Sequence, residues 1–160
     1  GSVNSDVFTY ELNNSVADMM DRLEEEFGCV FADASGENNL STKIILEQAD
    51  RIVVNLSQDR RIIDDFFEKF SAIAHKCVFL ISNYEPSVQI RDDYLIKKYK
   101  IKRERIGIIP YSFELRDALL QGKLVEYISR NLECKRKDDN FYFINELKKS
   151  CALVMEEEYA

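Results

Sequence analysis

An aspartate at the end of an apolar run, with a glycine three residues on, is a pattern that can handle phosphate. It occurs here as Phe31-Ala32-Asp33-Ala34-Ser35-Gly36. At the carboxyl end of a buried strand such a carboxylate holds the shell of a Mg²⁺ ion, usually through water. The glycine lets backbone approach a terminal phosphate, because no Cβ stands in the way. The same residues also fit an aspartate that only opens a turn. The motif that would anchor the phosphates, G-x-x-x-x-G-K-[ST], does not occur in the 160 residues. The one Gly-Lys pair is Gly122-Lys123, with Asp117 where the first glycine belongs and Leu124 where Ser or Thr belongs. No G-x-G-x-x-G is present either.

Other chemistries find less to work with. His75 is the only histidine and ends a Phe-rich helical stretch, where it fits a helix terminus better than a catalytic base. Cys29, Cys77, Cys134 and Cys151 form no C-x-x-C pair, so a zinc site is not indicated and the four read as reduced thiols. Ser35 lacks the G-x-S-x-G of a nucleophile elbow. The basic run from Lys97 to Arg105 could meet phosphate or anionic lipid. It fits better as a helix C-terminus, whose cations complement the dipole, followed by an exposed connector.

These residues need elements to hold them. Four apolar runs are continuous rather than alternating, which marks strands buried on both faces. They are Cys29-Val30-Phe31-Ala32, Arg51-Ile52-Val53-Val54-Asn55-Leu56, Cys77-Val78-Phe79-Leu80-Ile81 and Arg105-Ile106-Gly107-Ile108-Ile109. Helical patterns lie between them. Ile62, Ile63, Phe66, Phe67, Phe70 and Ile73 form one stripe, with Phe66 and Phe70 expected against the sheet. Leu40, Ile44 and Leu46 suggest a shorter helix, and residues 87–99 another. Val16, Met19, Met20, Leu23 and Phe27 form a leading helix. Phe141, Ile144, Leu147, Cys151 and Met155 form the apolar face of a closing one. Two short helices with a break near Gly122 are expected between Phe113 and Asn131, and a loop over residues 135–139. Strand–helix alternation predicts one α/β domain over residues 1–160, a mainly parallel sheet covered by helices on both faces.

Composition narrows the partners. A net charge of −7 argues against nucleic acid as a general ligand. No apolar stretch is long enough to span a bilayer and no secretory signal is visible, which points to the cytoplasm. The closing helix carries Glu156-Glu157-Glu158 at its end, which an anionic leaflet would repel. Gly1-Ser2 reads as a cloning remnant, so the chain is expected to begin inside a longer protein.

The order of segments resembles the MinD/ParA superfamily of P-loop ATPases, and its CpaE/TadZ pilus-localisation branch in particular. In that family a helix leads to a Walker B strand and a D-x-P-x-G-like turn. Here these positions are Met19 to Phe27 and Phe31-Ala32-Asp33-Ala34-Ser35-Gly36. Then come Gln48-Ala49-Asp50-Arg51-Ile52-Val53-Val54, Phe79-Leu80-Ile81-Ser82-Asn83 and Gly107-Ile108-Ile109-Pro110-Tyr111. Leu115-Arg116-Asp117-Ala118 and Gln121-Gly122-Lys123 resemble the helix pair that follows. The likeness runs from about Val16 to Asn131.

The resemblance implies a P-loop NTPase-like, Rossmann-like three-layer fold. It implies ATP and Mg²⁺ as family cofactors, with Asp33 as the Walker B carboxylate serving metal and catalysis. It places Gly36 against the terminal phosphate, Asn83 on the adenine edge, and Pro110 and Tyr111 along the base. Ser35 replaces the usual proline, and the first βα unit with its phosphate loop is missing. The expectation is therefore a positioning ATPase domain that binds nucleotide very weakly or not at all by itself, is inactive alone, and works with a second copy or another protein. The alternative is an interaction module that keeps the fold without nucleotide. Loss of the first strand would leave an edge that Val7-Phe8-Thr9-Tyr10, being β-prone, could fill. A receiver-like domain with Asp33 as phosphoacceptor lacks the acidic pair and lysine it would need.

Overall fold

A computed structural model describes residues 5–34 and 39–155, with side-chain surroundings from Ser15 onward. The chain divides into two compact units, residues 1–52 and 53–160.

In the first unit α1 (Ser5–Glu26) packs against α2 (Leu40–Gln48). The Asn39 side chain caps α2 by accepting the Thr42 N–H at 2.8 Å, and the Gln48 amide donates to Asp21 at 3.0 Å. Two sequence expectations fail here. Val7 to Tyr10 lie inside α1 rather than in a strand. A four-residue β preference loses to a 22-residue helix, because helix propagation adds a hydrogen bond for each residue fixed. Cys29-Val30-Phe31-Ala32 is also not a strand: residues 29–34 carry no regular structure, and Phe31 is 76% exposed. Extended backbone needs a neighbour to take its N–H and C=O groups, and none of the described strands pairs with this run.

The remaining three apolar runs form β1 (Ile52–Leu56), β2 (Cys77–Tyr84) and β3 (Ile106–Pro110), in the order β1-β2-β3. β2 and β3 are parallel, with Phe79 opposite Ile106 and Ile81 opposite Ile108. Side-chain bonds run from Ser82 to Asn55 and from Gln58 to the Glu85 backbone, both across 27 positions. That constant offset means β1 and β2 also advance in the same direction.

Adjacent β2 residues point to opposite faces, and both faces are covered. On one side Phe79, fully buried, meets the rings of Phe66 and Phe67 from α3 (Arg60–Phe70) at 5.6 and 5.4 Å. Tyr99, at the end of α4 (Asp93–Tyr99), stacks on Phe67 at 3.7 Å. The α3 stripe is turned from its expected setting. Ile63 and Phe67 are the buried pair, whereas Phe66, though its ring reaches Phe79, is half-buried and stacks on the half-buried Phe70.

On the other face α7 (Phe141–Met155) lies against β3. A Cβ on Gly107 would come within 2.7 Å of both Leu80 Cδ2 and Ser150 Oγ, so only glycine allows this approach. The Ser150 hydroxyl donates to the Ile108 carbonyl at 3.0 Å and is 2% exposed. The inward face of α7 is therefore Phe143, Ile144 and Ser150, while Cys151 and Met155 face solvent, contrary to the expected stripe. The expected α/β character and parallel sheet hold in this unit, with three strands instead of four.

The helix pair after β3 is α5 (Phe113–Leu120) and α6 (Leu124–Asn131). Ser112 caps α5 by accepting the Leu115 N–H at 3.1 Å. Gly122 takes a φ of 68° between the helices, a conformation that favours glycine. Tyr127, Phe143 and Ile144 make a second core cluster, against which Leu115 and Ala118 pack. Among the described residues no helix is long and apolar enough to cross a membrane.

Candidate functional site

In parallel α/β sheets ligands bind beyond the carboxyl ends of the strands. β2 and β3 end side by side here. Tyr84 is the register partner of Pro110, and the Tyr111 N–H donates to the Tyr84 carbonyl at 3.1 Å. That bond extends the pairing beyond the irregularity at Asn83. Asn83 has a φ of 51°, left-handed backbone that asparagine tolerates better than most residues. The pairing slips between Ser82 and Tyr84, and the Asn83 side chain is exposed. Pro110 is buried and lacks an N–H, which suits the last position of an edge strand. Tyr111 is 43% exposed. Asn83, Pro110 and Tyr111 thus share one sheet edge.

Two supports of this edge escaped the sequence reading. Gln58, just past β1, gives its amide hydrogens to the carbonyls of Glu85 and Ile90 at 3.2 and 2.6 Å. Its carbonyl accepts the Glu85 N–H at 2.7 Å. One side chain therefore pins the loop that follows β2, and nothing local in the sequence announces it. Ser112 starts α5 directly after Tyr111 and fixes the exit of the chain. A serine ahead of an apolar helical stretch was the available signal. Tyr84 is buried and its hydroxyl donates to Asp92 at 3.3 Å; Asp92 also pairs with Arg103.

The other half of the expected site is different. Asp33 is exposed in the irregular segment of the first unit, and Gly36 lies outside the described residues. A Mg²⁺ shell needs several oxygens converging at short range. Asp33 belongs to no such group, and no cluster of three or more His, Cys, Asp or Glu poised for a metal ion occurs among the described residues.

Most of the basic run is engaged within the fold. Lys97 pairs with Asp93 at 2.6 Å, Lys98 with Asp64 at 2.7 Å, and Arg103 with Asp92, while Arg105 donates to the His75 carbonyl. Asp64 also accepts hydroxyl hydrogens from Tyr94 and Tyr99 at 2.8 and 2.6 Å. The Lys98 ammonium, then the Tyr99 hydroxyl, hold the Asp64 carboxyl well below the usual carboxylate range. Lys98 is raised in turn, chiefly by Asp64. Burial raises the Tyr99 phenol, and its bond to Asp64 adds to this. The network ties α4 to α3 beside an open cleft of ≈ 430 Å³ lined by Asp64, Phe67, Glu68, Ser71, Ala74, Tyr99 and Ile101. Every polar atom of the Asp64 group is already engaged, which makes it a clamp between helices.

No protein-family model, curated protein or solved structure matches this chain.

Proposed function

We propose that the chain is a MinD/ParA-like domain of the kind used in spatial positioning, such as placing a pilus or secretion assembly or partitioning cargo. In this reading it offers the base side of a nucleotide site and takes the phosphate side from another segment or partner. What supports it is the gathering of Asn83, Pro110 and Tyr111 on one carboxyl edge of a parallel sheet, with the Asn83 amide and the Tyr111 ring both open to solvent. An exposed amide can read the hydrogen-bonding edge of a purine, and an aromatic face can stack on it. The chain would not act as an ATPase alone, because its sequence carries no phosphate loop.

Calorimetric titration with ATP tests this. Binding weaker than about 10 μM, a free energy near −7 kcal/mol, is expected. Tighter binding by this chain alone would contradict the reading.

A second reading, an interaction module without nucleotide, is favoured by the large apolar side chains exposed on α5 directly after Tyr111. It predicts no ATP response at any concentration, even with a binding partner present.

A further inference from the structure

The solvent face of α5 has an order of residues that fits a second copy of itself. Phe113, Arg116, Asp117 and Leu120 stand at i, i+3, i+4 and i+7, which places them on one side of the helix. All four are exposed, Phe113 at 68% and Leu120 at 78%. The opposite side, Leu115 and Ala118, is taken up by the core cluster around Tyr127. The outward row reads apolar, positive, negative, apolar, and its midpoint falls between Arg116 and Asp117.

We propose that this face is a homodimer contact in which two copies of α5 pair antiparallel about a twofold axis through that midpoint. Such an arrangement sets Phe113 against Leu120 of the second copy, and Arg116 against its Asp117. Both relations occur twice, as a twofold contact requires. Charge favours this occupant. The chain carries −7, so two copies repel over most of their surface, yet this row is neutral and matches itself in sign. Arg116 makes no ion pair within the chain among the described residues. Asp117 holds only the Gln121 amide, at 2.7 Å, and so keeps an oxygen free. Leu119, Leu124 and Val125, also exposed, extend the apolar area beside the row. One short helix and its margin cover less than the roughly 800 Å² per partner of a standard interface, so the dimer is weak. It requires no nucleotide and is independent of the reading of the sheet edge.

Sedimentation equilibrium of the full chain, without nucleotide, from about 10 μM to about 1 mM is the test, since small interfaces associate in that range. A monomer–dimer equilibrium is expected. Arg116→Asp alone and Asp117→Arg alone should each weaken it at least about tenfold, because like charges then face each other twice. The double exchange should restore it to within about threefold of the original. Both side chains are surface groups, and far-UV circular dichroism checks that each of the three variants remains folded. A strictly monomeric chain would overturn the proposal. So would single exchanges that leave association unchanged, or a double exchange that fails to recover it.

Discussion

The molecule contains nearly the same tripeptide-plus-one twice, as Cys29-Val30-Phe31-Ala32 and Cys77-Val78-Phe79-Leu80. The second copy is the heart of the sheet, and the first is not a strand at all. Phe79 is fully buried and Phe31 is 76% exposed. Intrinsic preference cannot separate them, because the side chains are almost the same. What differs is the company. The second run continues through Ile81 to Tyr84, pairs with β1 on one side and β3 on the other, and receives Phe66 and Phe67 on one face. The first run ends at Ala32-Asp33-Ala34 with no described strand beside it. Strand formation here is a property of the neighbourhood, as expected when β preference mainly measures packing against neighbours.

Substitution at the paired phenylalanines should give the largest contrast. Phe79→Ala should cost about 3–5 kcal/mol, the loss expected when a core aromatic is removed. Phe31→Ala should stay within about 0.5 kcal/mol, as for a surface position. Urea unfolding of both variants measures this, and equal losses would break the comparison. The paired cysteines sharpen it chemically. Cys77 is buried, its thiol pushed up to about 11 by desolvation, whereas Cys29 is exposed. An alkylating reagent near pH 8 should modify Cys29 at least about a hundredfold faster than Cys77, read by mass spectrometry of peptides.

Much of the second unit was legible because its signals are local. The break at Gly122, the helices on either side of it and the loop over residues 135–139 follow from turn residues and apolar spacing. The setting of α7 was not legible. An apolar stripe pointed to Cys151 and Met155, but the helix turns a serine inward because Ser150 meets Gly107 across the sheet. That contact joins residues 43 positions apart and leaves no mark in either segment. That Asn83, Pro110 and Tyr111 share one sheet edge was legible because all three close apolar runs that do become strands. Asp33 closes the run that does not. Gln58 was invisible for the reason Ser150 was, since its partners are backbone atoms of a distant loop.

The Gly107–Ser150 contact supplies a third, smaller test. Gly107→Ala should cost about 1–3 kcal/mol through overpacking. Because Leu80 Cδ2 can move aside but Ser150 sits on a packed helix, adding Ser150→Gly should recover part of the loss. No recovery would place the strain elsewhere. The smallest effect is expected at Asp64. Its carboxyl is depressed in the folded chain, so its contribution is complete above the unfolded value of about 3.9 and is lost as pH falls from there toward the lower folded value. Thermal midpoints should fall more steeply below about pH 4 in the parent chain than in Asp64→Asn. At neutral pH the difference should be slight, because exposed pairs contribute little.

In the proposed function the carboxyl edge of β2 and β3 is the working edge of this domain. Amide NMR spectra of the chain at millimolar ATP test it directly. Fast-exchange shifts confined to Asn83, Tyr84, Tyr111 and Ser112, reduced in Asn83→Ala, are expected, with an affinity weaker than about 10 μM. Shifts centred on other residues, or the absence of any shift at this edge, would contradict it.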